Sequence, residues 1–295
     1  MKTAGPSRTS ILVIFALLIT APFCARCAAV KPTSQPLIFR PADLEIYDAE
    51  GQQLIGHASY RAQASEGGET IKGEYRYFDG QWDVEEERLR HSATEALPQM
   101  IEFKRTFYGV DGKMQRRTTV DLETGEASSE VFGDESNRAG GEIHSANLSF
   151  PTDTFAGASL LIPFQTSLRD PASSRVQFHV FTCVPDPRVI AIDTPLNRET
   201  SSWPLYAGGT AVKLEVQPDL GFGLFNVIVT PFLPKISAWF DPARQWDYAG
   251  GSNLRFYRGP RITLVRNITA NTETGNGETI KPDTAANPTQ KKSQE

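Results

Sequence analysis

The sequence predicts a mainly β fold: a curved antiparallel sheet or half-barrel of about 10–12 strands with one short crossing helix. Three observations carry this expectation. Apolar and polar residues alternate at period two through most of the chain, turn residues punctuate the alternating runs, and helical spacing is nearly absent. Ile71, Tyr75 and Tyr77 share one parity of their run, with Lys72, Glu74 and Arg76 on the other. Ile101, Phe103 and Phe107 stand against Glu102, Lys104 and Thr106, and Val212, Leu214 and Val216 repeat the pattern. Alternation of this kind gives a strand one buried and one solvated face, the habit of antiparallel rather than parallel sheets.

The elements follow in order. Lys2 and Arg8 precede the apolar run Ile11–Ala21, and small residues follow around Cys24–Ala29. This is the plan of a secretory signal peptide over residues 1–29, so the protein is expected to be exported, to the periplasm or beyond the cell. Spanning a membrane takes about 20 apolar residues. Pro22 and Arg26 cut this run short, and no transmembrane segment is expected in the mature chain. Phe23 before Cys24 and Arg26 before Cys27 fit a lipidation site poorly, because that site wants a small residue there. Residues 30–43 read as an extended, proline-bearing lead-in, and residues 44–266 as the β domain. Turn clusters end at Gly51, Gly68, Gly80, Gly112 and Gly125, where glycine supplies the positive φ of tight hairpins. Pro151–Ile162 is the helix candidate, with Ser149 as cap and Pro163 as stop. Residues 126–147 read as a polar exposed connection and residues 194–210 as irregular. The tail 267–295 is too polar to offset its ordering entropy and is expected to be disordered.

Charge and chemistry narrow the function. The net charge of −5 becomes −8 once the leader leaves with Lys2, Arg8 and Arg26, which argues against a nucleic-acid partner. Of the three cysteines only Cys183 then remains, so no internal disulfide forms, and its apolar strand-like setting suits an inert thiol. His57, His91, His144 and His179 stand too far apart in sequence for a metal-ligand pair, and neither a metal nor a cofactor is expected. No Gly-x-Ser-x-Gly occurs, and Gly221-Phe222-Gly223 lacks the rest of a dinucleotide loop. Asp83, Glu85 and Glu87 follow Trp82, the materials of a glycosidase, because indole stacks on sugar while two carboxylates move protons. Alternation puts the three acids on one strand face, read most simply as solvated. Asn147-Leu148-Ser149 and Asn267-Ile268-Thr269 are glycosylation acceptors in form.

The richest segment runs from Phe225 to Val265, read as hairpins with turns at Asp241-Pro242, Gly250-Gly251 and Arg258-Gly259-Pro260. Its ISAWFDPARQ strand and LRFYRGPRITLVR hairpin follow FNVIVTP, and an early LIGHASYRA strand completes the pattern. Together these are similar to bacterial extracytoplasmic proteins of unknown function, which resemble the lipoprotein-carrier half-barrel. The resemblance implies a curved sheet whose concave face, partly covered by helix, holds an apolar ligand. It transfers no site residue, and the chain lacks the long helices those carriers use as a lid. The leading expectation is a non-enzymatic binding protein for an apolar or amphipathic, lipid-like ligand. Phe225, Val227, Val229, Ile236, Ala238 and Phe240 are its inward ligand-binding residues. A cell-envelope structural or assembly factor that binds protein is the second reading, and a carboxylate-dependent glycan hydrolase the third.

Overall fold

The structure is a computed structural model that describes residues 38–92, 94–132, 141–183, 186–216, 218–219, 236–255 and 259–268. Eight strands follow one another as a meander: β1 (Ala42–Tyr47), β2 (Leu54–Ser65), β3 (Gly68–Tyr77), β4 (Trp82–Arg90), β5 (Gln99–Tyr108), β6 (Met114–Asp121), β7 (Glu126–Val131) and β8 (Glu142–Asn147). The turn glycines do what the sequence asks of them: Gly51, Gly67, Gly80, Gly112 and Gly125 all have φ between +71° and +86°. The stretch 126–147, expected as an exposed connection, instead supplies β7 and β8. Its small polar residues give no apolar period, and pairing such as Thr119–Ser128 on the neighbouring strand holds it in the sheet.

Next come β9 (Thr154–Phe155), a 3-10 turn (Gly157–Leu160), α1 (Leu161–Arg169), β10 (Arg175–Cys183) and β11 (Pro187–Pro195). The helix therefore starts where the sequence reading ended it. Pro163 lies in the first turn of α1, where a missing N–H costs nothing, rather than acting as a stop. Phe155, expected on a helix face, is buried in β9.

The remaining strands are β12 (Thr200–Ser202), β13 (Thr210–Val216), β14 (Pro218–Asp219), β15 (Ile236–Asp241), β16 (Asp247–Leu254) and β17 (Arg261–Arg266). Thirteen strands form one curved antiparallel sheet in the order β12-β13-β15-β16-β17-β1-β2-β3-β4-β5-β6-β7-β8. The first and last strands of the described chain thus pair in its middle, Leu44 opposite Arg266 and Tyr47 opposite Thr263. A second sheet, β14-β11-β10-β9, lies with α1 over the inner face of the first. The described strands exceed the expected 10–12 already in the large sheet, where stretches read as connection or irregular supply β7, β8 and β12, and the second sheet adds four more, of which β9 falls in the stretch read as helix.

The core sits between these layers. Phe164 of α1 packs on Phe178 at 5.2 Å and on Phe240 at 6.0 Å between ring centroids. Phe155 meets Phe178 at 6.2 Å, and Phe103 of β5 meets Phe181 of β10 at 6.4 Å. A smaller cluster covers the outer face: Trp203 stacks on Trp239 at 4.8 Å, with Tyr206, Ala249 and Val265 buried beside it. The stretch 194–210, read as irregular, thus buries Trp203 and Tyr206 and contributes β12. Gly250-Gly251, expected as a turn, lies inside β16; the turn expected at Asp241-Pro242 is present, with Pro242–Arg244 in a 3-10 turn followed by the left-handed Gln245 and Trp246.

Candidate functional site

Strand β4 reverses the sequence expectation. Asp83, Glu85 and Glu87 do share a face, but that face is the inner one, with exposures of 0%, 2% and 0%. The register shows why. Tyr75 and Ile71 of β3 stand opposite Asp83 and Glu87, and on β5 Phe107 and Phe103 stand opposite the same two acids. These neighbours are core residues, so the pleat carries the carboxylates inward with them.

Each acid is held differently. Arg105, opposite Glu85 on β5, donates to Asp83 Oδ2 from Nε at 2.9 Å and from Nη2 at 2.7 Å. Its Nη1 lies 3.8 Å from Glu85 Oε2. The guanidinium is flanked by the rings of Tyr75 and Phe107, 4.8 Å from each centroid. Tyr75 donates to Glu85 Oε1 at 3.3 Å and shares a hydrogen bond of 2.6 Å with the Tyr60 hydroxyl. Gly73, opposite Glu85, leaves room for that carboxylate, since a Cβ there would lie 2.6 Å from Glu85 Cγ. Glu87 accepts from the backbone N–H of Ala158 at 2.6 Å and of Ser159 at 2.9 Å, at the start of the 3-10 turn. Glu69 does the same for the entering chain, accepting from Ile38 at 3.1 Å and Phe39 at 3.2 Å.

Burial dominates the electrostatics. It pushes Glu87 well above the usual carboxylate range, and the charge of Glu85 adds to the shift. Burial also raises Glu85 and Asp83, with Arg105 opposing in both cases, and raises Glu69 against its backbone donors. Raised carboxyls beside tyrosines are materials for proton transfer. Here, however, both oxygens of Glu87 are taken by backbone, and all three acids of the row are sealed beneath the second sheet and α1. The arrangement ties the covering layer to the sheet.

The other acids near tryptophan are also committed. Asp241 accepts from Tyr206 Oη at 2.6 Å and from the backbone of Ala243 at 2.9 Å. Asp247 lies between Arg40 at 2.9 Å and Arg266 at 3.2 Å. Burial pushes the Cys183 thiol up to about 12, in keeping with an inert thiol.

Of the expected ligand residues, Ala238 and Phe240 face inward, opposite Leu214 and Val212, and belong to the packed core. Ile236 has their parity but stands at the strand end, 38% exposed. Phe225, Val227 and Val229 lie outside the described residues. The network of Arg105, Tyr75 and Tyr60, and the separate backbone contacts of Glu69, escaped the sequence reading. The usable signal was the run of Ile71, Tyr75, Phe103 and Phe107 on strands either side of the acids.

A different feature occupies the outer face. His57, Arg76, Trp82, Tyr108 and Met114 are successive register partners across β2 to β6. Trp82 and Tyr108 stack at 3.9 Å with their planes 9° apart, and Arg76 lies 4.9 Å from the Trp82 ring. Arg117 donates to Met114 Sδ at 3.1 Å and lies 5.7 Å from the Phe132 ring. Two turn residues stand beside this row, Phe78 at 63% and Val110 at 69% exposure. A shallow depression of about 380 Å³ continues it toward β1, lined by Asp43, Glu45, His57, Ser59, Glu74 and Arg76 among others.

No protein-family model matches the chain, and no curated protein matches it. Among solved structures it is similar to a crystal structure described as a β-barrel-like protein of a domain of unknown function, DUF1849, from Brucella abortus. That similarity has 12% identity and a TM-score of 0.41, over 77% of this chain and 94% of that one.

Proposed function

We propose that the protein is an exported, non-enzymatic factor of the cell envelope that binds another protein through the outer face of its large sheet. The observation that carries this reading is the cross-strand row from His57 to Met114, flanked by exposed Phe78 and Val110. Trp, Tyr, Arg and Met are the side chains that protein interfaces concentrate, and the two rings, Trp82 and Tyr108, bring large contact area with few freely rotating bonds. The packed inner face supports a protein partner over an enclosed apolar ligand. A ligand on Ala238 and Phe240 would have to displace Phe164, which already sits 6.0 Å from the Phe240 ring. A glycan hydrolase would need its carboxylates in a cleft, and those of β4 are buried and bonded to the chain itself.

A photo-crosslinking residue placed at Phe78 or Val110 in living cells tests this. The expected result is one discrete protein adduct from both positions, none from exposed Thr200 at the far edge, and loss of the adduct in W82S/Y108S. Adducts that contain only lipid, or protein adducts of equal yield from Thr200, would overturn the reading.

A further inference from the structure

A small cationic pocket opens at the ends of β5 and β6, beside the β3–β4 turn. It holds about 150 Å³ and is lined by Gln81, Phe107, Tyr108, Gln115, Arg116 and Arg255. The chain is acidic overall, so two guanidiniums on one small cavity stand against its average charge. Arg255 is the more constrained. It is 7% exposed, its guanidinium lies 3.3 Å from the centroid of the Tyr77 ring, and its backbone N–H is fixed to Pro260 O at 2.9 Å. Its Nε–H is buried and meets no acceptor among the described residues. A buried guanidinium N–H without an acceptor is costly, and a bound acceptor removes that cost.

Asp79 lies 3.7 Å from Arg255 Nη1 and is 55% exposed; Arg105 holds Asp83 through Oδ2 alone, and the other Asp83 oxygen is buried with no hydrogen-bond partner among the described residues. For Arg116 burial is the cause that lowers its proton affinity, a shift that an anion beside it would reverse.

From this geometry we infer that the pocket binds a tetrahedral oxyanion, a phosphoryl group. The polar residues of the lining come from three separate places in the chain: Gln81 in the β3–β4 turn, Gln115 and Arg116 on β6, and Arg255 after β16. A polar lining spread in this way suits three phosphoryl oxygens better than the single plane of a carboxylate. The volume is several waters' worth, about 30 Å³ each, and falls short of the roughly 300 Å³ where pockets for drug-sized ligands begin. It therefore fits the phosphoryl group itself, whether free phosphate or the head of a lipid. The inference is independent of the protein-partner reading.

Calorimetric titration of the full chain with potassium phosphate, against potassium chloride at equal ionic strength, is the direct test. Saturable phosphate binding with a dissociation constant below about 1 mM is expected. R116Q, and separately R255K, should weaken it at least about tenfold, with folding checked by circular dichroism. Flotation with phosphatidylglycerol vesicles, against phosphatidylcholine vesicles, distinguishes the sources. Vesicle binding that free phosphate competes away assigns the group to a lipid head; phosphate binding without vesicle binding assigns it to the free ion. Phosphate heats no larger than those of chloride would overturn the inference. So would folded R116Q and R255K that bind like wild type, or vesicle binding that phosphate leaves unchanged.

Discussion

Glu87 has no exposed surface, yet it keeps two backbone N–H groups satisfied across the layer boundary. Glu87→Ala strips both donors of their acceptor and leaves a void, so a loss of about 3–5 kcal/mol is expected in urea unfolding. A loss below about 1 kcal/mol would mean that the contact contributes little. The row also sets a pH dependence opposite to that of most salt-bridged acids. Glu69, Asp83, Glu85 and Glu87 all have folded-state values raised by burial, so between the unfolded and folded values the native state holds more protons. Their contribution is complete below the unfolded carboxylate range and is lost as pH rises through the raised values. The urea midpoint should therefore fall between about pH 5 and pH 8, and Glu87→Gln should flatten the curve. A midpoint that climbs across that range would contradict the assignment. At this scale the sequence showed that three acids share a face, and that part held. It did not show which face, because Val84 and Leu89 flank the acids from opposite sides of the same strand.

Strands β2 to β6 were largely legible, since they carry period-two signals and most of the turns between them hold a glycine. The helix was not. Ser149, Pro151 and the apolar spacing of Phe155 and Ile162 gave a coherent local pattern, but β9 and the 3-10 turn occupy that stretch and α1 begins at Leu161. Pairing with His179 and Val180 of β10 draws Thr154 and Phe155 into a strand, a tertiary contact that no local propensity contains. Gly157 marks the junction. It has φ +52°, and a Cβ there would lie 2.5 Å from Glu87 Oε1 and 2.8 Å from the Phe103 ring. Gly157→Ala should cost at least about 1–2 kcal/mol from its left-handed backbone alone, with the crowding of Glu87 adding to it. Thermal unfolding of this variant at wild-type temperature would rule out the tight seat described for the turn. Phe164→Ala tests the covering layer as a whole. With Phe178 and Phe240 both packed on that ring, a loss of about 3–5 kcal/mol is expected by denaturant unfolding.

Across the whole molecule, the large sheet depends on contacts between distant parts of the chain. β1 pairs with β17, Arg266 donates to Pro41 O at 3.1 Å, and Arg40 bonds Asp247 at 2.9 Å. Such long-range closure makes folding slow, on the order of milliseconds to seconds or longer. It also predicts a sharp contrast between truncations. Removing residues 261–295 takes β17 from the middle of the sheet and should abolish the cooperative transition, whereas removing only 269–295 should leave it unchanged. Calorimetry of the two truncated chains checks both, and a folded 261–295 deletion would show that β1 and β16 stand without their common neighbour. The sequence by itself determined that the chain is mainly β, where most turns fall, and which residues of each strand share a face. Alternation is unchanged when the two faces are exchanged, so it could not say which face is buried. That was decided only when Ile71, Tyr75, Phe103 and Phe107 lined up beside the acids and α1 with the second sheet came down over them. The same packing turned a row read as solvated into the sheet's buried ionic network, and left the aromatic row from His57 to Met114 facing out.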